Sequence, residues 1–235
     1  MTEVALTPDD LEALRRYDTP TICNALEVVA PERRSRGFTT EALVCAVPTL
    51  APMVGFARTA TIRSAAPPAQ SAETMRERRL EYYAYVADGP GPTVVAMRDL
   101  DRDPGLGAFW GEVNSHVHKG LGCLGTVTNG SIRDLDDLAA EFQMLAGKIA
   151  PSHAHVHVVG FGDPVEVLGM AVAHGDLIHA DRHGAVVVPA AVARALPEAA
   201  ELIGRREAVV LAAAARPGFG IEALRRAMGE AADMH

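Results

Sequence analysis

The stretch Gly125-Thr126-Val127-Thr128-Asn129-Gly130-Ser131-Ile132-Arg133-Asp134-Leu135-Asp136-Asp137 decides how the chain is read. The β-branched run at 126–128 predicts a short strand, and Asn129-Gly130 predicts a glycine turn at its end. The turn delivers an arginine and an aspartate side by side. Arg133 offers a planar fork of five N–H donors suited to a carboxylate or phosphate. Asp134 offers the hard oxygen ligands that divalent cations prefer. An anion anchor beside a metal ligand, at the carboxyl end of a strand, is one way to hold a small oxyacid. A plainer reading stands beside it. Arg133-Asp134 would be a surface ion pair, Asp134 would cap a helix over 135–142, and Asp136 and Asp137 would be first-turn acids.

Upstream, Gly107-Ala108-Phe109-Trp110-Gly111-Glu112-Val113-Asn114 reads as a loop running into a helix over 111–119. Free backbone N–H groups at a helix start, with the dipole behind them, make an anion site. Glycine at 111 lets a ligand approach the backbone closely. An ordinary capped helix with an acidic first turn is the alternative. Both segments follow predicted strands (93–97 and 126–128), and in an α/β sheet ligands gather at those ends.

The rest of the chain supplies the frame. Thr7-Pro8-Asp9-Asp10 reads as a capped helix start, and Thr19-Pro20 repeats the signal. Residues 30–50 lack periodicity, and 54–62 alternates as a strand. A turn-rich segment at 64–72 precedes a helix over 73–86, which Asp88-Gly89-Pro90-Gly91-Pro92 ends. Beyond the helix expected at 135–142, short strands are read at 153–159, 164–168, 170–173, 176–180 and 185–188, with a hairpin turn at His183-Gly184. Helices close the chain at 197–215 and 220–228. The order predicts one mixed α/β domain over 1–235, with an N-terminal helical segment (1–50), a core (51–190) and C-terminal helices (191–235).

Composition narrows the partners. With 235 residues the chain can build one sizeable core. A net charge of −8 disfavours nonspecific nucleic-acid binding, which needs a basic footprint. The same charge repels anionic substrates, so an acid-binding site must concentrate positive charge locally. The three cysteines, Cys23, Cys45 and Cys123, have no CxxC spacing and read as buried thiols in a reducing compartment. The start of the sequence lacks a signal-peptide pattern, and no apolar run approaches the roughly 20 residues that span a bilayer. The expected location is cytoplasmic, with no membrane partner.

His153, His155 and His157 alternate, which would put them on one strand face, and His179 and His183 are close in sequence. Zinc sites also need converging ligands from elsewhere, so a polar strand face at a subunit interface is the preferred reading. Cys123 reads as structural rather than nucleophilic. A GxxxxGK[ST] phosphate loop, a GxSxG elbow and an adenosylmethionine loop are all missing.

Three segments taken together resemble the RraA-like family: FWGEVN at 109–114, GxxGTVTNGSIRDLDD ending at Asp137, and 175–189, which follows a GDL–AD–GV–VP pattern. That family includes 4-hydroxy-4-methyl-2-oxoglutarate aldolases and regulators of RNase E activity. Its members have also carried a dimethylmenaquinone methyltransferase label. The likeness is dense from about Asp99 to Pro189 and looser at the N-terminal helices. The aldolase branch is marked by an aspartate, twenty residues, Arg-Asp, two residues and an acid. Here Arg133, Asp134 and Asp137 fit, and Glu112 stands in the aspartate's place, one methylene longer.

The resemblance implies an α/β, swivelling-type β/β/α domain with flanking N- and C-terminal helices, assembled as a homotrimer or homohexamer. It implies a lyase dependent on Mg2+ or Mn2+, cleaving a 2-oxo acid to pyruvate through a metal-stabilised enolate, with oxaloacetate decarboxylation suiting the same site. The amides of Gly111, Glu112, Val113 and Asn114 and the Arg133 guanidinium would hold the pyruvyl carboxylate. Asp134 would ligate the metal, Glu112 would position its water, and Asp137 would support from behind. A further acid would come from a neighbouring subunit's C-terminal helix, with Glu207 as the candidate. The rival readings are a non-enzymatic, protein-binding regulator of the RNase E type, and an enzyme with the same site that breaks a different bond of an oxo- or hydroxyacid.

Overall fold

The computed structural model describes residues 5–234. Four parallel strands form its centre: β2 (Met53–Arg63), β3 (Thr93–Asp99), β5 (Cys123–Ile132) and β6 (Gln143–Ile149). Short β1 (Val44–Cys45) pairs antiparallel with β6 at one edge. β10 (Leu177–Asp181) and β11 (Gly184–Val188) extend the sheet antiparallel beyond β2. β4 (Ala108–Trp110) adds to the far end of β5, and β7 (His157–Phe161) to that of β2, giving a nine-stranded sheet. A separate hairpin, β8 (Val165–Val167) with β9 (Met170–Val172), forms a second small sheet. Among the described residues six α-helices complete the fold: α1 (Pro8–Arg15), α2 (Thr19–Val29), α3 (Ala72–Ala87), α4 (Glu112–Gly120), α5 (Leu196–Ala214) and α6 (Ile221–Ala232).

The layering follows from which faces are apolar. β3 carries Val-Val-Ala-Met at 94–97, an unbroken apolar run, because both of its faces are covered. Val94 and Ala96 face the β8–β9 hairpin with Ala57, Val127 and Leu145. Val95 and Met97 face α3 and the aromatic pair Phe109 and Trp110, joined by Tyr82, Phe142 and Met144. These two cores on opposite sides of one sheet are the β/β/α layering expected from the resemblance. A third core packs α1, α2 and the start of α5 on β10–β11, through Leu14, Ile22, Leu26, Val186, Val188 and Leu196. Each such fully buried aliphatic side chain contributes about 1.5–3 kcal/mol.

Several expectations are corrected. Asn129-Gly130 is not a turn but lies inside β5, where the register with β6 shifts between Thr128 and Ser131. The true corner is one turn later, at Asp134, which has φ 53°. No helix forms over 135–142. That segment is a chain of turns, and Glu141 also takes positive φ, 59°. The strand Gln143–Ile149 was not anticipated, nor was β4, which occupies part of the expected loop before Gly111. The strand read at 153–159 begins only at His157, so His153 and His155 lie in a loop and the three histidines do not share a strand face. Asp18, not Thr19, caps α2, accepting the Thr21 N–H at 2.9 Å. The last hairpin turns at Arg182-His183, and Gly184 already pairs with Asp181. No helix of the described residues is long and apolar enough to cross a membrane.

Candidate functional site

The site assembles where β4 and β5 end side by side. Arg133 N–H donates to the Trp110 carbonyl at 3.0 Å, so the two chains leave the sheet together. One then turns into α4 at Gly111, and the other bends at Asp134. Gly111 caps α4 but has no side chain to accept the helix's first amides. Asp134 reaches across and does so: its Oδ2 accepts the Glu112 N–H at 3.2 Å. A Cβ on Gly111 would fall 2.5 Å from that same oxygen and 3.0 Å from Arg133 Cγ, so glycine is what lets the two loops touch. Asp134 is therefore a helix cap, as the plainer reading held, but for α4 rather than for a helix of its own.

Arg133 lies beside this carboxylate, Nε 3.1 Å from Asp134 Oδ2, with the two side chains 28% and 32% exposed. Among the described residues the guanidinium makes no hydrogen bond within the chain, so its outer fork faces outward unused. Asp134 Oδ1 likewise has no partner there. Glu112 and Asp137 are exposed, and among the described residues their carboxylates accept no hydrogen bond. Val113 is 70% exposed. Among the described residues the amides of Val113 and Asn114 make no bond outside α4, leaving two first-turn donors beside the Arg133 fork. The sequence-predicted residues 111–114, Arg133 and Asp134 thus do come together. Glu207 lies elsewhere, on α5.

The support behind the site was not singled out from the sequence. Ser115, fully buried, donates from Oγ to the Glu112 carbonyl at 2.7 Å and accepts the Ala139 N–H at 2.9 Å, tying α4 to the segment after Asp134. Asn114 accepts the Tyr83 hydroxyl at 2.7 Å. His118 is fully buried; its Nδ1–H donates to the Asn114 carbonyl at 2.7 Å, and its Nε2 accepts the Tyr82 hydroxyl at 2.8 Å. Burial pushes its pKa down to about 4, so it is neutral and serves as a strut rather than a proton shuttle. Asn129 clamps the neighbouring strand, accepting the Asp99 N–H at 2.7 Å and donating to the Asp99 carbonyl at 3.1 Å. The buried Asp99 carboxylate holds the following loop through the Gly105 N–H at 2.7 Å, and burial raises its pKa. One signal for these residues was available: Asn129 sits in the TNG run, where an amide side chain can bond neighbouring backbone.

Cys123 is buried, and desolvation pushes its thiol up to about 11, which suits a packing role. Among the described residues no group of three or more His, Cys, Asp or Glu side chains converges to hold a metal.

A family model described as RraA-like, Aldolase/RraA, matches residues 19–187, which include every strand end of the site. The chain belongs to the RraA-like family. Solved structures show the same fold. An uncharacterized protein from Pseudomonas syringae pv. tomato str. DC3000 has a TM-score of 0.71 at 20% identity, covering 98% of this chain and 97% of its own. Streptomyces coelicolor RraAS2, described as an unusual member of the RNase ES inhibitor RraA family, has a TM-score of 0.66 at 20% identity, over 87% and 96%. A structure described as a novel cellulase from microbes associated with the gut ecosystem has a TM-score of 0.72 at 16% identity, over 88% and 89%. At these identities the likeness establishes the RraA fold alone. No curated protein matches the chain. The RraA-like family holds both lyases and RNase E inhibitors.

Proposed function

We propose that this RraA-like protein is a divalent-metal-dependent carbon–carbon lyase that releases pyruvate from a 2-oxo acid. The reading rests on one observation: an unused arginine fork, two free helix N-terminal amides and a free carboxylate oxygen meet at the ends of β4 and β5. In a chain of net charge −8, the Arg133 fork and the α4 amides supply the positive groups a carboxylate needs, and the carboxylates of Asp134 and Glu112 beside them call for a bound cation.

Mg2+ or Mn2+ fits the donor set, since Mg2+ commonly uses one or two carboxylates with water and substrate oxygens completing its shell. Asp134 Oδ1 would hold it, and Glu112 and Asp137, which do not converge with it on one point among the described residues, would bear on the ion through water. When bound, the ion would polarise the 2-oxo group as a Lewis acid. The protein's own residues do the rest. Arg133 takes the substrate carboxylate in a bidentate grip, and the Val113 and Asn114 amides add hydrogen bonds that orient it. In aldol cleavage the C4 hydroxyl gives up its proton, the C3–C4 electron pair passes to C3, and the resulting pyruvate enolate is protonated there. Glu112, at the start of α4, would carry that proton by way of the water it positions. Loss of CO2 from oxaloacetate leaves the same enolate.

We place the exposed site at a border between copies of the chain, in a homotrimer or homohexamer, where a partner's acid such as Glu207 would close it. The test is pyruvate formation from oxaloacetate and from 4-hydroxy-4-methyl-2-oxoglutarate, with magnesium or with excess chelator. Magnesium-dependent release supports the reading. Full activity in chelator overturns the metal's part, and no release from either substrate favours another oxo-acid bond or the regulator reading.

A further inference from the structure

A second cationic cleft lies away from Arg133. The N-terminal part of α3, the loop before it and the 153–158 segment enclose about 710 Å³, lined by Arg76, Arg79, His153, His155 and His157. No Asp or Glu is among its lining residues, although Glu73 stands one turn before Arg76 on α3. Arg76 and Arg79 are three apart on α3 and so share one face of the helix. Neither makes a hydrogen bond or an ion pair with another described residue. Arg78 between them is instead consumed by the fold, donating from Nε to the Val159 carbonyl at 3.0 Å and lying over the Phe161 ring. The Arg79 guanidinium lies 6.0 Å from the Phe109 ring centroid, which steadies it without neutralising it. His157 Nδ1–H donates to the His155 carbonyl at 2.7 Å, which holds that ring in the cleft wall. Pro67, Met75 and Val156 give the cleft apolar surface for a short carbon skeleton.

Two unpaired guanidinium groups and three imidazoles, gathered without a carboxylate in an acidic protein, make a receptor for negative charge. We propose that this cleft binds a small oxyanion, a carboxylate or a phosphate borne on a short carbon skeleton. The cleft shares no lining residue with the Arg133 site, so the inference stands whether or not the lyase reading does. Phe109, beneath Arg79, is two residues from Gly111, which sets the occupied cleft against the strand that leads into α4.

The test is titration of the full-length protein with inorganic phosphate and, separately, with citrate, read by calorimetry and by the ring resonances of the cleft histidines. The proposal expects saturable binding of at least one anion, with shifts in the His153, His155 and His157 signals. The tighter of the two names the head group. The double variant Arg76→Gln/Arg79→Gln should weaken binding by about tenfold or more, the loss of charged hydrogen bonds. Arg133→Ala should leave the affinity unchanged. Both cleft arginines are exposed and unpartnered, so the double variant should fold, and its far-UV circular dichroism checks that. An absence of saturable binding, equal binding by the double variant, or binding abolished by Arg133→Ala would each overturn the assignment.

Discussion

Gly111 and Asp134 are matched at the level of single atoms. The carboxylate occupies the space where a Cβ on residue 111 would stand, and it accepts the amide that a capping side chain would otherwise satisfy. Asp134 also holds φ 53°, a conformation uncommon for a residue other than glycine. Removing the cap should therefore register in stability. Asp134→Ala is expected to lose about 1 kcal/mol, the usual worth of an N-cap, in urea unfolding. Asp134→Asn should keep most of that stability while removing the anionic ligand, so its pyruvate release should fall as far as that of Asp134→Ala. If Asp134→Asn stays fully active, Asp134 is a cap and nothing more.

At the scale of elements, α4 is held by His118, whose neutral ring bridges Asn114 and Tyr82. An unfolded histidine titrates near 6.5, and here the folded value is about 4, because burial penalises the charged ring. The native state thus resists protonation that the unfolded state accepts. Stability is unaffected above pH 6.5 and falls as pH drops toward 4, by about 3 kcal/mol in all. Buried His179 is shifted in the same direction, also by burial, and adds to the slope. Urea unfolding between pH 7 and pH 4.5 should show this loss, and His118→Gln should make the slope shallower. An unchanged slope would remove His118 from the account. The neighbouring Asn129 clamp predicts that Asn129→Ala costs about 1–3 kcal/mol, since it strips partners from the buried Asp99 backbone.

The same elements show what a reader of sequence could and could not see. Leu135, Leu138, Ala139 and Phe142 carry a helical spacing, yet the segment must return the chain from Ile132, opposite Ile149, to Gln143. That is about 20 Å of strand length, which the chain covers in turns: Glu141 takes positive φ, and the Ala139 N–H bonds Ser115 Oγ instead of a helical carbonyl. Strand β6 escaped notice because Gln143-Met144-Leu145-Ala146 is buried on both faces and shows no alternation. Its Gly147, which reads as a breaker, is where the β5 backbone comes close: a Cβ there would lie 2.5 Å from the Asn129 carbonyl oxygen. By contrast the site pair at 133–134 and the helix start at 111–114 were legible, because strand end, glycine and charge are local signals. That Asp134 caps α4 was not, since it needs two loops twenty residues apart to be placed together.

Over the whole molecule, the C-terminal helices differ along their length in how they are covered. The start of α5 is buried against α2, but Leu211, Ile221 and Met228, on α5 and α6, are 67%, 69% and 58% exposed. A helical hairpin with this much uncovered apolar surface is suited to a second copy. The assembly proposed above predicts a sedimentation mass of three or six times the 24.8 kDa protomer. A Leu211→Glu/Met228→Glu variant should dissociate and lose activity together. A protomer-sized mass for the wild type would place the complete site within one chain.

The central claim is that Arg133 anchors the carboxylate of a 2-oxo acid. The most direct measurement is the rate of pyruvate release from oxaloacetate, at saturating magnesium, by the wild type and by Arg133→Ala at matched thermal stability. The variant also accounts for decarboxylation in solution. The account predicts that kcat/KM falls by at least about a hundredfold, as loss of a charged, bidentate contact requires. Equal rates in the two proteins would contradict it.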